Sequence, residues 1–359
     1  MKIVVIFPYR EEYLAFEIIK SLLKFDAEIF CSKNIKNIKF ILESNSQNHN
    51  IGTSVLDNCK ICNDMEIIKK ARSADYIFAL GSRYRFQDAD SCGGDFYLFD
   101  EINKSERTVF IDGSEWNASG WSSQFQQTCL HNKKLKYKFK HLNFYKGSDW
   151  IDKKMRKKAK WYFKRETYLE DLRDNNIFPL PYSHRIEDIQ ETKNKKKKID
   201  LLVSFGQHLT GLRTEVQEIS EKLKNKYKVF NKFTNQEDFF NNILDSFLVT
   251  DAWGAGNCTV RSQMVQINSV ALIQQKWNIL NPFPFKDGVN IIEYSNTNEY
   301  LEKILYYLNN KKKLIDIGKK GYLHSINHHT SDKRLNYIFD VINNKVNLHE
   351  IFKIKKRKT

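Results

Sequence analysis

The sequence predicts an α/β protein of two domains, each built on a parallel sheet, and three observations carry that prediction. Short apolar runs bounded by turn residues recur along the chain, as in Lys2–Pro8, Tyr76–Leu80, Ile199–Phe205 and Phe247–Thr250, with the length of buried strands. Helical patterns alternate with them, which is the signature of βαβ units. The alternation then restarts after Phe178-Pro-Leu-Pro-Tyr-Ser-His184 and the lysine run Lys193–Lys198, an extended and charged connection. The expected division is residues 1–184, residues 185–345 and a basic tail of 346–359.

In the first half, Lys2–Pro8 leads to a helix over Glu11–Phe25 with Leu14, Ile18, Leu22 and Phe25 on one face, then to a strand at Ala27–Cys31. A helix over Met65–Ala74 precedes the strand Tyr76–Leu80, and Arg107–Ile111 is a further strand followed by Asp112-Gly-Ser-Glu115. In the second half, Ile199–Phe205 is followed by a loop from Gly206 to Gly211 and a helix over Arg213–Lys224. Val229–Phe230 is a short strand and Glu237–Ile243 a helix. After Phe247–Thr250 comes the turn Asp251-Ala-Trp-Gly-Ala-Gly-Asn257, a helix opening at Cys258 or Thr259, and a strand at Val270–Gln275. Val289–Tyr294 is a strand, and helices cover Thr297–Leu308, Lys311–Asn327 and Ser331–Ile342, the last capped by Ser331.

Composition bounds the partners. At 359 residues with 41% apolar content, the chain has enough material for two cores. The net charge of +16 points to anionic partners, whether nucleotide, nucleic acid or acidic membrane surface. Six scattered cysteines, with Cys59 and Cys62 the one close pair, read as reduced thiols in preference to a metal site. The opening apolar run is too short for a signal peptide and no segment is long enough to span a bilayer, so a cytoplasmic protein is expected. Residues 133–165 carry fourteen Lys or Arg against two Asp, interleaved with aromatics. That stretch reads as the solvated face of an amphipathic helix ahead of a nucleic-acid surface. His184 is expected to be exposed.

The candidate site is the turn at 251–259. In a parallel sheet ligands bind at the carboxyl ends of the strands. Gly254 and Gly256 let the backbone approach a ligand, the helix start offers N–H groups and a dipole, and Thr259 and Arg261 add a hydroxyl and a guanidinium. Such a turn suits a diphosphate. Asp112 and Glu115, at a strand end of the first domain, are candidates to accept a proton from a substrate hydroxyl. Gln274, at the end of another strand, is a candidate for contact with a sugar or base.

Several ordered features of the second half also match a known pattern. They are a glycine-bearing loop with Arg213, Trp253-Gly-Ala-Gly with Thr259-x-Arg261, Phe285-Lys-Asp-Gly-Val-Asn-Ile-Ile, Tyr306-Tyr-Leu, and His329-Thr with Arg334. Together with Tyr162-Phe-Lys-Arg-Glu166 and Pro179-Leu-Pro181 they resemble the CgeB-like, spore-protein-type glycosyltransferases over roughly residues 160–340. The resemblance implies the GT-B fold, two facing Rossmann-like domains with a nucleotide-sugar held mainly by the second. Family members carry a glutamate three residues after the helix arginine, where it meets the ribose; this chain has Met264, with Gln263 or Gln266 as substitutes.

The expected activity is transfer of a sugar from a nucleotide-sugar to a glycan, lipid-linked or protein acceptor. Arg261, Arg213 and the helix amides at Gly256–Thr259 would stabilise the leaving diphosphate with no metal and no further cofactor. Asp88-Ala-Asp90 lies in the wrong domain to hold a metal there. Gly206, Trp253, Gly254, Gly256, Asn257, Thr259, Gln263 and Gln274 would contact the donor, and Asp112 or Glu115 would serve an inverting reaction as base. The basic tail suggests contact with the inner face of an anionic membrane. Two competing expectations are a non-catalytic nucleotide-sugar binder and a nucleic-acid binder using residues 133–165.

Overall fold

The computed structural model describes residues 1–7, 13–36, 56, 58–81, 98–102, 105–113, 157–173, 176–189, 197–205, 212–253 and 257–352. The first domain runs β1 (Lys2–Ile6), α1 (Tyr13–Leu22), β2 (Glu28–Ser32), β3 (Lys60–Cys62), α2 (Asp64–Ala71), β4 (Tyr76–Leu80), α3 (Leu98–Ile102), β5 (Thr108–Asp112), β6 (Trp161–Lys164) and β7 (Ile177–Pro179). Its strands lie in the order β3-β2-β1-β4-β5-β6-β7, all parallel. Alternate residues face opposite cores. Ile3 and Val5 join one apolar cluster while Val4 and Ile6 join another, so the sheet is covered on both faces. Asn63 and Glu66 start α2 with reciprocal hydrogen bonds to backbone N–H groups.

The second domain runs β8 (Ile199–Val203), α4 (Arg213–Lys222), β9 (Val229–Asn231), α5 (Gln236–Asp245), β10 (Ser246–Asp251), α6 (Val260–Ile267), β11 (Ala271–Gln275), β12 (Ile292–Tyr294), α7 (Thr297–Leu308), α8 (Lys311–His328), α9 (Ser331–Ile342) and α10 (Leu348–Ile351). Its parallel order is β12-β11-β10-β8-β9. Two parallel α/β sheets in one chain agree with the expected fold class.

The last long helix returns to the first domain. Leu335, Ile338, Val341 and Ile342 of α9 share a core with Leu14, Ile18 and Leu22 of α1, and Phe339 packs against Phe25, Tyr76 and Phe78. Thr330, not Ser331, caps α9, its hydroxyl accepting the N–H of Lys333; the Ser331 hydroxyl instead donates to Glu17.

Three other expectations change. The end of the basic aromatic stretch is the buried strand β6, with Tyr162 and Phe163 in the core and Lys164 fully enclosed beside Asp112; residues 133–156 lie outside the described residues. Ile177–Pro179, expected in the connection between domains, is an edge strand, where proline is tolerated. His184 is buried, its N–H donating to the carbonyl of His329 across a bridge to Thr330. His184, His329 and Phe285 form a stack at this double crossing between domains, with centroid separations of 5.1 Å for His184–His329 and 4.6 Å for Phe285–His329. Burial and the nearby Arg334 hold both histidines well below the ordinary value, so the rings are neutral at pH 7. Arg334 reaches His329 Nδ1 at 2.7 Å.

The crossing is also bound by charge. Lys20 on α1 meets Glu17 and Glu187, Arg185 lies 3.7 Å from both Glu17 and Asp188, and the Asp188 carbonyl accepts Asn268 Nδ2. Among the described residues no helix is long and apolar enough to cross a membrane.

Candidate active site at the second sheet edge

The carboxyl ends of β8 and β10 bring two arginines to one place. Arg213 opens α4 and Arg261 lies in the first turn of α6, and each guanidinium carbon is 5.4 Å from the centroid of the Phe205 ring that follows β8. Arg213 is buried, with Nε and Nη2 each donating to the Ala252 carbonyl at 3.2 Å. Arg261 is the more open of the two, its side chain 19% exposed. Its Nε donates to Asp251 Oδ1 at 3.1 Å, and Nη1 approaches the Ser204 carbonyl at 3.4 Å. Asp251 ends β10 and its second oxygen accepts the Thr259 hydroxyl, while Thr259 Oγ1 caps α6 by accepting the Ser262 N–H. One carboxylate therefore orients both the helix cap and the arginine.

The approach to α6 is not wholly open to a ligand. The N–H groups of Asn257 and Cys258 donate to the two oxygens of Glu166, each at 3.2 Å, so these amides, expected to face a phosphate, are already satisfied by a carboxylate from the first domain. Asn257 Nδ2 also donates to Glu166 and to the Tyr168 hydroxyl, and Asn257 Oδ1 accepts the Asn278 N–H. Burial raises the Glu166 pKa above the usual carboxylate range, opposed by Arg165 and the two amides. Burial, and next the Glu166 charge, push the Cys258 thiol up to about 12, which leaves it an unreactive thiol at neutral pH.

The remaining donor-side candidates divide. Trp253 is partly exposed and fixed through Gln275, its N–H donating to Oε1 and its indole N–H to the Gln275 carbonyl. Gln274 is buried, and its Oε1 has no hydrogen-bond partner among the described residues. Gln263 is buried with Nε2 3.8 Å from Cys258 Sγ, Gln266 is buried, and Met264 packs in a core with Phe239, Ile243 and Val249. None of these three side chains lies on an open face. Gly206, Gly254 and Gly256 lie outside the described residues, as do Glu115 and Asp88-Ala-Asp90.

Asp112 does end a strand, as expected, but its carboxylate is fully enclosed. It accepts the Tyr162 hydroxyl and pairs with Lys164 at 3.5 Å. A carboxylate so enclosed has no path to an acceptor hydroxyl in this arrangement, and the part of base is not given to it. Among the described residues no group of three or more His, Cys, Asp or Glu side chains is placed to hold a metal ion.

Sequence inspection passed over Asp251, Phe205, Gln275 and Glu166 as site residues. Asp251 had a readable signal, a carboxylate at a strand end eight residues before a threonine and ten before an arginine. Glu166 stands in the motif Tyr162-Phe-Lys-Arg-Glu166 that carries the resemblance, but its role cannot be read there, since its partners are more than ninety residues away.

Residues 216–340 match the family model described as Glycosyl transferase-like. No curated protein matches the chain. Among solved structures, Anabaena Alr3699/HepE in complex with UDP is similar at 9% identity and a TM-score of 0.51, over 96% of this chain and 100% of that one. TarM is similar at 12% identity and a TM-score of 0.52, over 95% and 98%. An S. aureus TarM variant in complex with Fondaparinux, alpha-GlcNAc-glycerol and UDP is similar at 10% identity and a TM-score of 0.50, over 95% and 99%. Residues 216–340 of the second domain therefore match a glycosyl transferase-like model, and the chain as a whole has the two-domain GT-B fold of these solved structures.

Proposed function

We propose that this chain transfers a sugar from a nucleoside-diphosphate sugar to an acceptor hydroxyl, with Arg213 and Arg261 facing the leaving diphosphate. The observation that carries the proposal is the convergence of two guanidinium groups on Phe205 at the carboxyl edge of a parallel sheet, where such folds bind ligands. As the glycosidic bond breaks, negative charge grows on the diphosphate. Fixed donors aimed at that charge stabilise the transition state more than the ground state. Asp251 fixes Arg261 before the donor arrives, so the arginine need not be ordered during the reaction.

Trp253, Thr259 and Gln274 line the same edge and are proposed donor contacts together with Gly206, Gly254 and Gly256. The UDP bound in the HepE crystal structure supports a nucleoside diphosphate as ligand, and the ligands of the TarM variant support a glycan acceptor. The basic residues of the tail, Lys353 to Lys358, are proposed to hold the protein to an anionic membrane face in the cytoplasm. Truncation after Phe352 then leaves donor hydrolysis intact and weakens binding to anionic vesicles.

One experiment separates the classes: a panel of nucleotide-sugars assayed for binding and for hydrolysis, with oligonucleotides alongside. Turnover is the expected result. Binding without turnover makes the chain a nucleotide-sugar binder, a reading favoured by Met264, which packs in a core at the place where the resembling family carries a ribose-contacting glutamate. Tight, salt-dependent binding of oligonucleotides with neither would make it a nucleic-acid binder.

A further inference from the structure

Residues 166–168 follow β6 of the first domain and bond to two loops of the second. Glu166 takes the N–H groups of Asn257 and Cys258, the Thr167 carbonyl takes the Leu280 N–H at 2.7 Å, and the Tyr168 hydroxyl takes Asn257 Nδ2 at 3.0 Å. Asn257 in turn holds Asn278, so both loops close on one bracket. The bracket is firmly mounted, because β6 is an inner strand of the first sheet and Glu166 itself is 1% exposed.

We infer that Glu166 is a positioning residue for the donor site: a carboxylate of the first domain that holds Asn257 and Cys258, just ahead of the α6 cap, and so ties the backbone leading to Thr259 and Arg261 to the first domain. It acts by taking the two N–H groups immediately ahead of the Thr259 cap of α6. With those two amides turned inward the backbone leading into Thr259 and Arg261 is fixed, which leaves the arginines to meet the ligand. A carboxylate suits this place because it accepts two converging N–H groups through two oxygens. An amide at the same position accepts through one and presents an NH₂ group to the other donor.

The inference rests on the reading of this edge as the donor site, and the test separates the two. The probe is UDP, titrated calorimetrically into the full chain for wild type, Glu166→Gln and Tyr168→Phe, with hydrogen exchange followed at Asn257 and Cys258 and with donor KM and kcat measured. Glu166→Gln is expected to weaken UDP binding about tenfold and to raise donor KM similarly, the loss of one hydrogen bond to a charged group, with kcat within about threefold. Exchange at Asn257 and Cys258 is expected to quicken. Tyr168→Phe, which removes one hydroxyl at a partly buried position, moves UDP binding and KM the same way by about threefold and keeps the inference testable if Glu166→Gln fails to fold.

Unchanged exchange at Asn257 and Cys258 in both variants overturns the inference whether or not UDP binds. Unchanged UDP affinity and KM in both overturns it as well. Quickened exchange in a chain whose wild type binds no nucleotide upholds the clamp on the turn and removes the donor-site reading instead.

Discussion

Asp112 and Asp251 hold equivalent places, each the last residue of an inner strand in its own parallel sheet, and they have opposite fates. In register beside Asp112 stands Lys164 on β6, and the two side chains pair within the core. In register beside Asp251 stands the neutral Gln274 on β11, so Asp251 turns to the helix start and holds Thr259 and Arg261. A carboxylate at a strand end is therefore structural or site-forming according to the residue opposite it on the next strand.

The most damaging change expected is Asp112→Asn, which leaves the Lys164 ammonium enclosed without its carboxylate. Unfolding by denaturant should show a loss of about 3–5 kcal/mol, while the folded fraction keeps its activity. A stable but inactive Asp112→Asn protein would break the comparison and return Asp112 to the chemistry. Next comes Arg261→Ala, expected to lower turnover by roughly 10²-fold or more with a Tm near that of wild type. Kinetics within a few-fold of wild type would take Arg261 out of the mechanism.

Asp251→Asn is expected to be milder. Arg261 and Thr259 keep a polar neighbour but lose the charge that orients them, and kcat/KM should fall about tenfold through misplacement of the arginine. A loss as large as that of Arg261→Ala would mean that Asp251 acts on the substrate directly.

The smallest effect concerns a third carboxylate, Asp188, at the crossing between domains. Burial lifts its pKa to about 6, opposed by Arg185 and assisted by Glu17 and Glu187, with Lys20 also near. A folded-state pKa above the unfolded value means that the folded protein binds the proton more tightly. That stability is present below about pH 4 and is lost as pH rises through about 6. Measured as Tm from pH 4 to 7, wild type should fall relative to Asp188→Asn across that window by a few degrees, roughly. Parallel curves would show that the proton on Asp188 does not matter to folding.

Much of the fold was legible because periodicity reports burial. Tyr76–Leu80, Thr297–Leu308 and Ser331–Ile342 appear with the ends that their apolar spacing and turn residues predict. β6 was not, because Lys164 and Arg165 follow a long basic run and their burial depends on partners outside it, Asp112 for Lys164 and Glu166 with Tyr182 for Arg165. The return of α9 to α1 could not be read either, since an amphipathic helix states that it has a buried face and not which domain buries it. At the site, Thr259 and Arg261 were legible from βα geometry and Arg213 from the family resemblance. The inward turn of Asn257 and Cys258 was not, because it is set across the domain boundary by Glu166.

The most direct measurement is a crystal structure of the chain soaked with UDP. The account predicts the diphosphate within hydrogen-bonding reach of Arg261 and beside Phe205, with Glu166 still on Asn257 and Cys258. UDP bound away from both Arg213 and Arg261, or side chains packed against them with no room for phosphate, would contradict it.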